Sequence, residues 1–457
     1  MDYENLTNNL KLNIDKLKSL LDDGLEKDFS KKYISDLAKE YGYEILGIAD
    51  SLYIQKGSNP KAIAHINVDS KSLSRALDYT NEDLSELVIG NEFYLVNALL
   101  VIASLVSQSE NDFDILITNN NIQKDIKSYS SLNNILRSSN IINLNLRHPK
   151  SIADEFSALM LSSIRVPVTR FEPDFSYKSF RICISNLIGG RAGEDIDKVR
   201  LNSIKTLVSF IRKIKSKVDL DVTGFEAGDR YDNIPNSGEI YFIIKDEYVN
   251  DLMDTFDLFK NELIEKNLKH EPDIKINLEE LENEDCYPLT DLSFSHLSSF
   301  VELLPTGAFS VDNTNNQLIS SINLATARSQ ADYINFIVVF RSLSEEMMNQ
   351  MVEKTDTAMT ISSSQVAHRF TIPRWKNKDE SLTKIFKNVY KELTGEELEV
   401  IKSQYSLDSS IIFKNLDVKM ISLGVEYKQG DNGKFYTKLA DILQTSTMID
   451  NVLTIIE

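Results

Sequence analysis

Hydrolytic metal chemistry needs His, Asp and Glu side chains converging at strand ends, because these supply the lone pairs and charge that hold zinc. The chain has five histidines, His65, His148, His270, His296 and His368. No two stand in His-x-x-x-His spacing and none falls in a compact cluster, so by themselves they read as structural or solvated residues. Cys183 and Cys286 are the only cysteines, and their separation matches no metal-binding spacing; Cys183 lies in an apolar run and reads as a packed thiol. Walker-type, Gly-x-Ser-x-Gly and Gly-x-Gly-x-x-Gly motifs are absent. The strongest local signal is Arg181-Ile-Cys-Ile-Ser-Asn-Leu-Ile-Gly-Gly-Arg-Ala-Gly-Glu-Asp195. Apolar alternation through Ile182, Ile184 and Leu187 predicts a strand. Gly189, Gly190 and Gly193 predict a turn presenting Arg191, and an amphipathic helix is expected over Leu201–Ile214.

These residues must be positioned by a sizeable scaffold. At 457 residues with 42% hydrophobic content, the chain is long enough for two or three domains with their own cores. The net charge of -19 argues against nucleic acid or an anionic membrane as partner, because phosphate binding needs clustered Lys and Arg. Two cysteines without a disulfide pattern point to a reducing, cytoplasmic compartment. The Met1-Asp-Tyr-Glu-Asn-Leu start lacks a secretory pattern. The best apolar run, Tyr94–Val106, is too short to span a bilayer and reads as a buried helix.

Periodicity predicts helices over Asn5–Leu25, Phe29–Tyr43 and Phe93–Ser107, with strands at Glu44–Ala49, Ala62–Val68, Phe113–Thr118 and Ile141–Leu144. This alternation favours an α/β layer with parallel strands. From Lys178 the pattern shifts to strands at Phe180–Leu187, Val218–Phe225, Glu239–Ile244, Ile319–Ser329 and Tyr333–Ser342, interleaved with helices at Leu201–Ile214 and Tyr248–Lys266. The acidic stretch Leu278–Asp285 reads as a solvated face or connector. A last section has a helix over Ser381–Thr394 closed by Gly395, a strand at Val418–Leu423 and a final helix over Tyr436–Ile456. No internal repeat is evident. The organisation is a discontinuous first domain, 1–177 and 370–457, with a second inserted at 178–369.

From about residue 29 onward the chain resembles the aminoacyl-histidine dipeptidases (Xaa-His dipeptidases, PepD-type) of the di-zinc carboxypeptidase and aminoacylase-like peptidases. Leu187–Phe210 resembles the family's Gly-Gly-His-Ser-Gly lid segment, and Asn233-Ile-Pro-Asn236 its Asn-Ala-Ile-Pro segment. Ser320-Ser-Ile-Asn-Leu324 and Arg341-Ser-Leu343 match later lid strands. Trp375 matches the return into the catalytic domain, and Ile421-Ser-Leu-Gly424 the strand before the last ligand. The resemblance implies a zinc-peptidase-like mixed-sheet α/β catalytic domain carrying an inserted α/β lid and dimerisation domain. It also implies a peptide or dipeptide ligand and a homodimer through the lid.

The resemblance maps the first zinc ligand onto His65 of His65-Ile-Asn67, with an amide where the family has its supporting aspartate. The bridging aspartate falls on Asn91, the general base on Asn121, the next ligand on Ile122, a further carboxylate on Asn145 and the last histidine on Asp431. The lid histidine falls on Arg191. Asparagine fills the space of aspartate without its charge, so it cannot offset two adjacent divalent ions. An amide has no useful basicity near neutral pH, and isoleucine has no lone pair. The expectation is therefore a dipeptidase-like protein without the di-zinc site, without catalytic residues and without a cofactor. Arg191 and Arg341 remain as candidate contacts for a ligand carboxylate. The alternative is an active enzyme with an altered or mononuclear zinc site built from His65, Asp431 and nearby Glu92 or His148. A purely structural or regulatory subunit is a third reading.

Overall fold

The computed structural model describes residues 3–22, 29–48, 51–68, 77–79, 87–89, 93–119, 134–148, 150–282, 286–429 and 435–457. The chain divides into two compact units: Met1–Phe156 with Trp375–Ser403 and Leu407–Glu457, and Ser157–Arg374 with Gln404–Ser406.

The first unit is a mixed sheet with strands in the order Glu44–Ile48, Ser51–Lys56, Phe113–Asn119, Ile63–Val68, Asn140–Asn143, Lys419–Leu423, Ser151–Phe156 and Trp375–Lys376. Glu399–Ser403 adds in parallel to Ser151–Phe156. Its centre, Phe113–Asn119 through Lys419–Leu423, is parallel, as the strand-helix alternation predicts. Helix Phe93–Gln108 is apolar on nearly every side, because helices Tyr3–Asp22, Phe29–Glu40 and Leu439–Ile455 and strand Ile63–Val68 all pack around it. Its Leu99, Val101 and Ile102 are fully buried. Among the described residues no helix is long and apolar enough to cross a membrane.

At the base of this sheet an ion pair between a buried carboxylate and a half-buried guanidinium fixes the approach to strand Asn140–Asn143. Asp114 is fully buried, and Arg137 grips its two oxygens through Nε (3.0 Å) and Nη2 (2.5 Å). Tyr53 donates its hydroxyl to the same carboxylate. The attraction and the low exposure support one another, since a buried carboxylate needs several donors to replace its water.

The second unit is an antiparallel sheet, and its topology contains a repeat the sequence does not show. One copy is strand Tyr177–Ser185, helix Ser203–Lys215, strands Leu220–Ala227 and Gly238–Lys245, helix Val249–Asn267 and strand Lys275–Leu281. The other is strand Ala158–Pro167, helix Asp291–Leu303, strands Gln317–Ser329 and Tyr333–Ser342, helix Glu345–Ile361 and strand Gln365–Ile372. In space each runs fourth, first, third, second strand, and the copies meet at their second strands through Glu226↔Arg328 and Ala227↔Ala327. The four long helices pack side by side in the matching order. The first copy is inserted after the first strand of the second, which breaks the repeat's spacing along the chain. Strand Gly307–Asp312 adds to Gln317–Ser329.

One expectation changes here, and the solvated face expected at Leu278–Asp285 takes a definite form, with Glu279 and Glu280 exposed. The second unit starts at Ser157, not at 178, because Ala158–Pro167 pairs with Tyr333–Ser342 and Gln365–Ile372. The acidic stretch from Leu278 is the end of edge strand Lys275–Leu281, whose Glu279 and Glu280 reach Arg181 and Lys178 across to the next strand. Residues 283–285 of that stretch lie outside the described residues.

Candidate functional site

In a parallel sheet, side chains that act on ligands gather at the carboxyl ends of adjacent strands. Strand Ile63–Val68 contributes His65 and Asn67, Phe113–Asn119 contributes Thr118, and Asn140–Asn143 with the residues after it contributes Asn143 and Asn145. Lys419–Leu423 contributes Ser422. The register sets them side by side: His65 stands opposite Leu116 and Asn143, and Asn67 opposite Thr118. Asp408, immediately before the short helix Ser409–Ile412, and Ser409 within it complete the cluster.

The hydrogen bonds close on themselves. Asn67 N–H donates to Asn145 Oδ1 (2.8 Å), and Asn145 Nδ2 returns a bond to Asn67 O (2.9 Å). The Asn145 amide thus pairs with the backbone of strand Ile63–Val68 much as a neighbouring strand would. A carboxylate accepts but cannot donate, so only the amide makes both bonds. Asn145 N–H in turn donates to Asn143 Oδ1 (3.0 Å), as does the hydroxyl of Ser422 (2.6 Å). These backbone donors fix which way each amide faces. Asn143 Nδ2 therefore points at His65 Nδ1 (3.1 Å), with Ser409 Oγ also 3.1 Å from that nitrogen. Nδ1 must accept, so the ring proton sits on Nε2 and donates to Thr118 Oγ1 (3.0 Å), which donates on to Asn67 Oδ1 (3.3 Å). Asn67 Nδ2 donates to the Asp408 carboxylate.

His65 is fully buried, with the edge of its ring against Phe413 at a centroid distance of 5.7 Å. Burial without a counter-charge pushes its pKa down to about 3. The imidazole is neutral near pH 7, and both nitrogens are occupied. His65 has no free lone pair for a metal, and Asn145 offers an amide already committed to the backbone. As they stand, these two positions do not fit a zinc ion. Among the described residues no three His, Cys, Asp or Glu side chains converge as a metal site. Nor is His65 placed to act as a base unless the network opens.

The other residues singled out from the sequence lie elsewhere. Asn91, Glu92, Asn121, Ile122 and Asp431 fall outside the described residues. His148 is exposed, with Nδ1 3.0 Å from Ser151 Oγ, and takes no part in the cluster. Arg191 belongs to the second unit, where Gly190–Arg191 pairs with Asn233–Ile234. Its turn depends on glycine: Gly190 has φ 125°, and a Cβ there would strike the Asp195 carboxylate, which accepts the Arg191 N–H at 2.9 Å. The loop is held at both ends by one carboxylate. Fully buried Glu271 accepts Ile188 N–H (2.6 Å) through one oxygen and Leu201 N–H (2.9 Å) through the other. Arg341, on strand Tyr333–Ser342, is 5% exposed and donates to Gln404 O (3.3 Å). Residues 404–406 are stitched to this unit further by Gln404 Nε2 to Leu318 O (2.6 Å) and Ser157 Oγ to Gln404 O (2.7 Å).

Sequence reasoning did not find Thr118, Asn143, Ser409, Ser422 or Asp408. Asn143 had a signal, since it shares a strand face with Asn145 two residues on. Ser409 and Asp408 sit in a polar stretch with nothing to mark them, and Ser422 is a lone hydroxyl within an apolar strand.

The sequence matches no protein-family model and no curated protein. Among solved structures, the chain is similar to aminoacylhistidine dipeptidase from Vibrio alginolyticus. The identity is 16%, the match covers 98% of this chain and 96% of that one, and the TM-score is 0.67. It is also similar to a tripeptidase from Staphylococcus aureus, at 10% identity over 98% of both chains with a TM-score of 0.50. At such identities the likeness is one of architecture: this chain has a dipeptidase-like fold, a mixed-sheet α/β domain interrupted by a second α/β domain.

Proposed function

We propose that this protein keeps a dipeptidase fold but has lost the di-zinc site and the hydrolysis that depends on it, and that it binds a peptide-like ligand without cleaving it. The observation that carries the reading is the neutral, closed network around His65. The only histidine that the resemblance to Xaa-His dipeptidases assigns to zinc in the first domain has its two nitrogens taken by Thr118, Asn143 and Ser409. The carboxylate position at Asn145 has become an amide that serves the strand backbone. Asn91, Asn121 and Ile122, which the same resemblance assigns to the bridge, the base and a ligand, add no charge. Zinc is not part of this reading.

What supports a peptide-like ligand is the likeness in fold to an aminoacylhistidine dipeptidase and a tripeptidase. Arg191, held on its glycine turn, is the residue we assign to a ligand carboxylate, with buried Arg341 as a second cation in the same unit. A cytoplasmic location and a homodimer through the second unit, which serves as the lid, belong to the same reading.

The test is a panel of Xaa-His and other dipeptides assayed for hydrolysis with added zinc and with chelator, and for binding by calorimetry. Saturable binding without turnover is the expected outcome. Turnover that zinc supports and chelator removes overturns the proposal.

A further inference from the structure

The two free edges of the second unit's sheet occupy equivalent places in the repeat, since each is the fourth strand of its copy, yet they differ in charge. On Lys275–Leu281 the carboxylates are neutralised across the sheet, Glu279 by Arg181 (2.7 Å) and Glu280 by Lys178 (2.7 Å). Gln365–Ile372 contains no Asp or Glu at all in a chain of net charge -19. It carries His368 and Arg369, and its neighbour strand carries exposed Arg165, stacked on the Tyr333 ring at 4.5 Å. Among the described residues none of these three makes an ion pair; Arg369 Nε reaches the neutral hydroxyl of Ser162 (3.2 Å).

The strand's backbone is open as well. Gln365–Ile372 pairs only with Ala158–Pro167. Residues 365–369 and 371 are exposed, with Val366 37% exposed. Its outer N–H and C=O groups have no backbone partner among the described residues. A bulge between Val366 and His368 leaves His368–Ile372 as an uninterrupted run. Basic residues on an edge strand ordinarily serve to repel other strands. Here they repel basic strands and, with no described carboxylate paired to them, attract an acidic one.

We propose that strand Gln365–Ile372 is a docking edge for an acidic, extended segment of a partner protein, which adds to the sheet as a further strand. Main-chain hydrogen bonds supply the pairing, and carboxylates on alternate residues, which share one face of the added strand, meet Arg369 on that face.

The probe is a labelled, end-blocked peptide of alternating Glu and Val, as long as the strand, titrated with the full-length protein by fluorescence anisotropy. A Glu–Pro peptide of equal length and charge, with its residues in Glu-Glu-Pro-Pro order, has lost half of the main-chain donors on each side of the strand and cannot complete the ladder in either register. Binding of the Glu–Val peptide should saturate and weaken as salt rises from about 0.05 M to about 0.3 M. The Glu–Pro peptide and the H368E/R369E variant should each bind at least about tenfold more weakly. Asn277→Glu, which adds a carboxylate to the opposite edge, should change nothing. Equal binding of the Glu–Pro peptide overturns strand addition, and equal binding by H368E/R369E overturns the site. A dimer of the unliganded protein that dissociates in H368E/R369E would mean that a second copy occupies the edge, and overturns the partner assignment.

Discussion

Asn145→Asp changes almost no volume, so its effect isolates the chemistry of the amide. In the wild type the Asn145 side chain donates to Asn67 O at 2.9 Å and accepts from Asn67 N–H at 2.8 Å and Asn143 Nδ2 at 3.2 Å. An ionised aspartate keeps the two accepted bonds but places an anionic oxygen against the Asn67 carbonyl. The lost bond costs about 0.5–1.5 kcal/mol, and leaving a carbonyl facing an acceptor adds about 1–3 kcal/mol. The half-buried position lets water relieve part of that, so a total of about 2–3 kcal/mol is expected at neutral pH. The sign with pH is definite. Once protonated, the introduced carboxyl can donate to Asn67 O, so the folded state favours the protonated form and raises the pKa above its unfolded value of about 3.9. The deficit is therefore full above the raised folded pKa and shrinks as pH falls toward the unfolded one. Urea unfolding of both proteins at matched pH values measures the difference, and the wild-type titration of His65 cancels in it. A cost below about 0.5 kcal/mol at neutral pH, the range of an ordinary surface change, would refute the strand-pairing role of the amide.

Three other changes read different parts of the structure. Arg137→Ala leaves the Asp114 carboxylate buried with Tyr53 and the Lys56 N–H as its remaining partners, and should lower unfolding free energy by about 3–5 kcal/mol; adding Asp114→Asn should recover part of that loss in denaturant titration. His65 has a folded pKa near 3 and an unfolded one of about 6.5, so its contribution is complete above the unfolded value. Stability should then fall with acidification between the two by up to about 1.4 kcal/mol per pH unit, a slope that the His65→Gln variant should lack when the two are compared by urea unfolding. Glu271→Ala frees the N–H groups of Ile188 and Leu201, and hydrogen exchange across 188–201 should accelerate by about tenfold or more relative to helix Ser203–Lys215 if one bond of about 1.4 kcal/mol held the loop.

Much of the scaffold was legible because apolar periodicity is a direct record of burial. Phe93–Gln108 and Phe113–Asn119 emerge within a residue or so of their expected bounds, since each is built round an unbroken apolar run, residues 98–103 in the helix and 115–117 in the strand. Ala158–Pro167 did not, because buried Ser162 interrupts its core face. Lys275–Leu281 hid behind its glutamates, which are polar on the exposed side of an edge strand and read as a charge run. Helices Asp291–Leu303 and Glu345–Ile361 have Ser293, Ser298 and Thr355 among their buried positions, which blurs the apolar stripe; their caps, Thr290 and Ser344, were the available signals.

At the site, resemblance led to His65 and Asn145, and local sequence did not. Asparagine next to a strand end reads as a turn residue. That Asn145 instead completes the pairing of strand Ile63–Val68 depends on Asn67, 78 positions away in the chain, and no local pattern encodes that distance. Ser409 and Ser422 are later still in sequence and reach His65 and Asn143 only through the fold.

The most direct test of the proposed loss of chemistry is the zinc content of protein purified without chelator, equilibrated with excess zinc and desalted, measured by mass spectrometry of the metal. A closed amide network predicts zinc far below stoichiometric and unchanged by His65→Gln. Stoichiometric zinc that His65→Gln removes would contradict it.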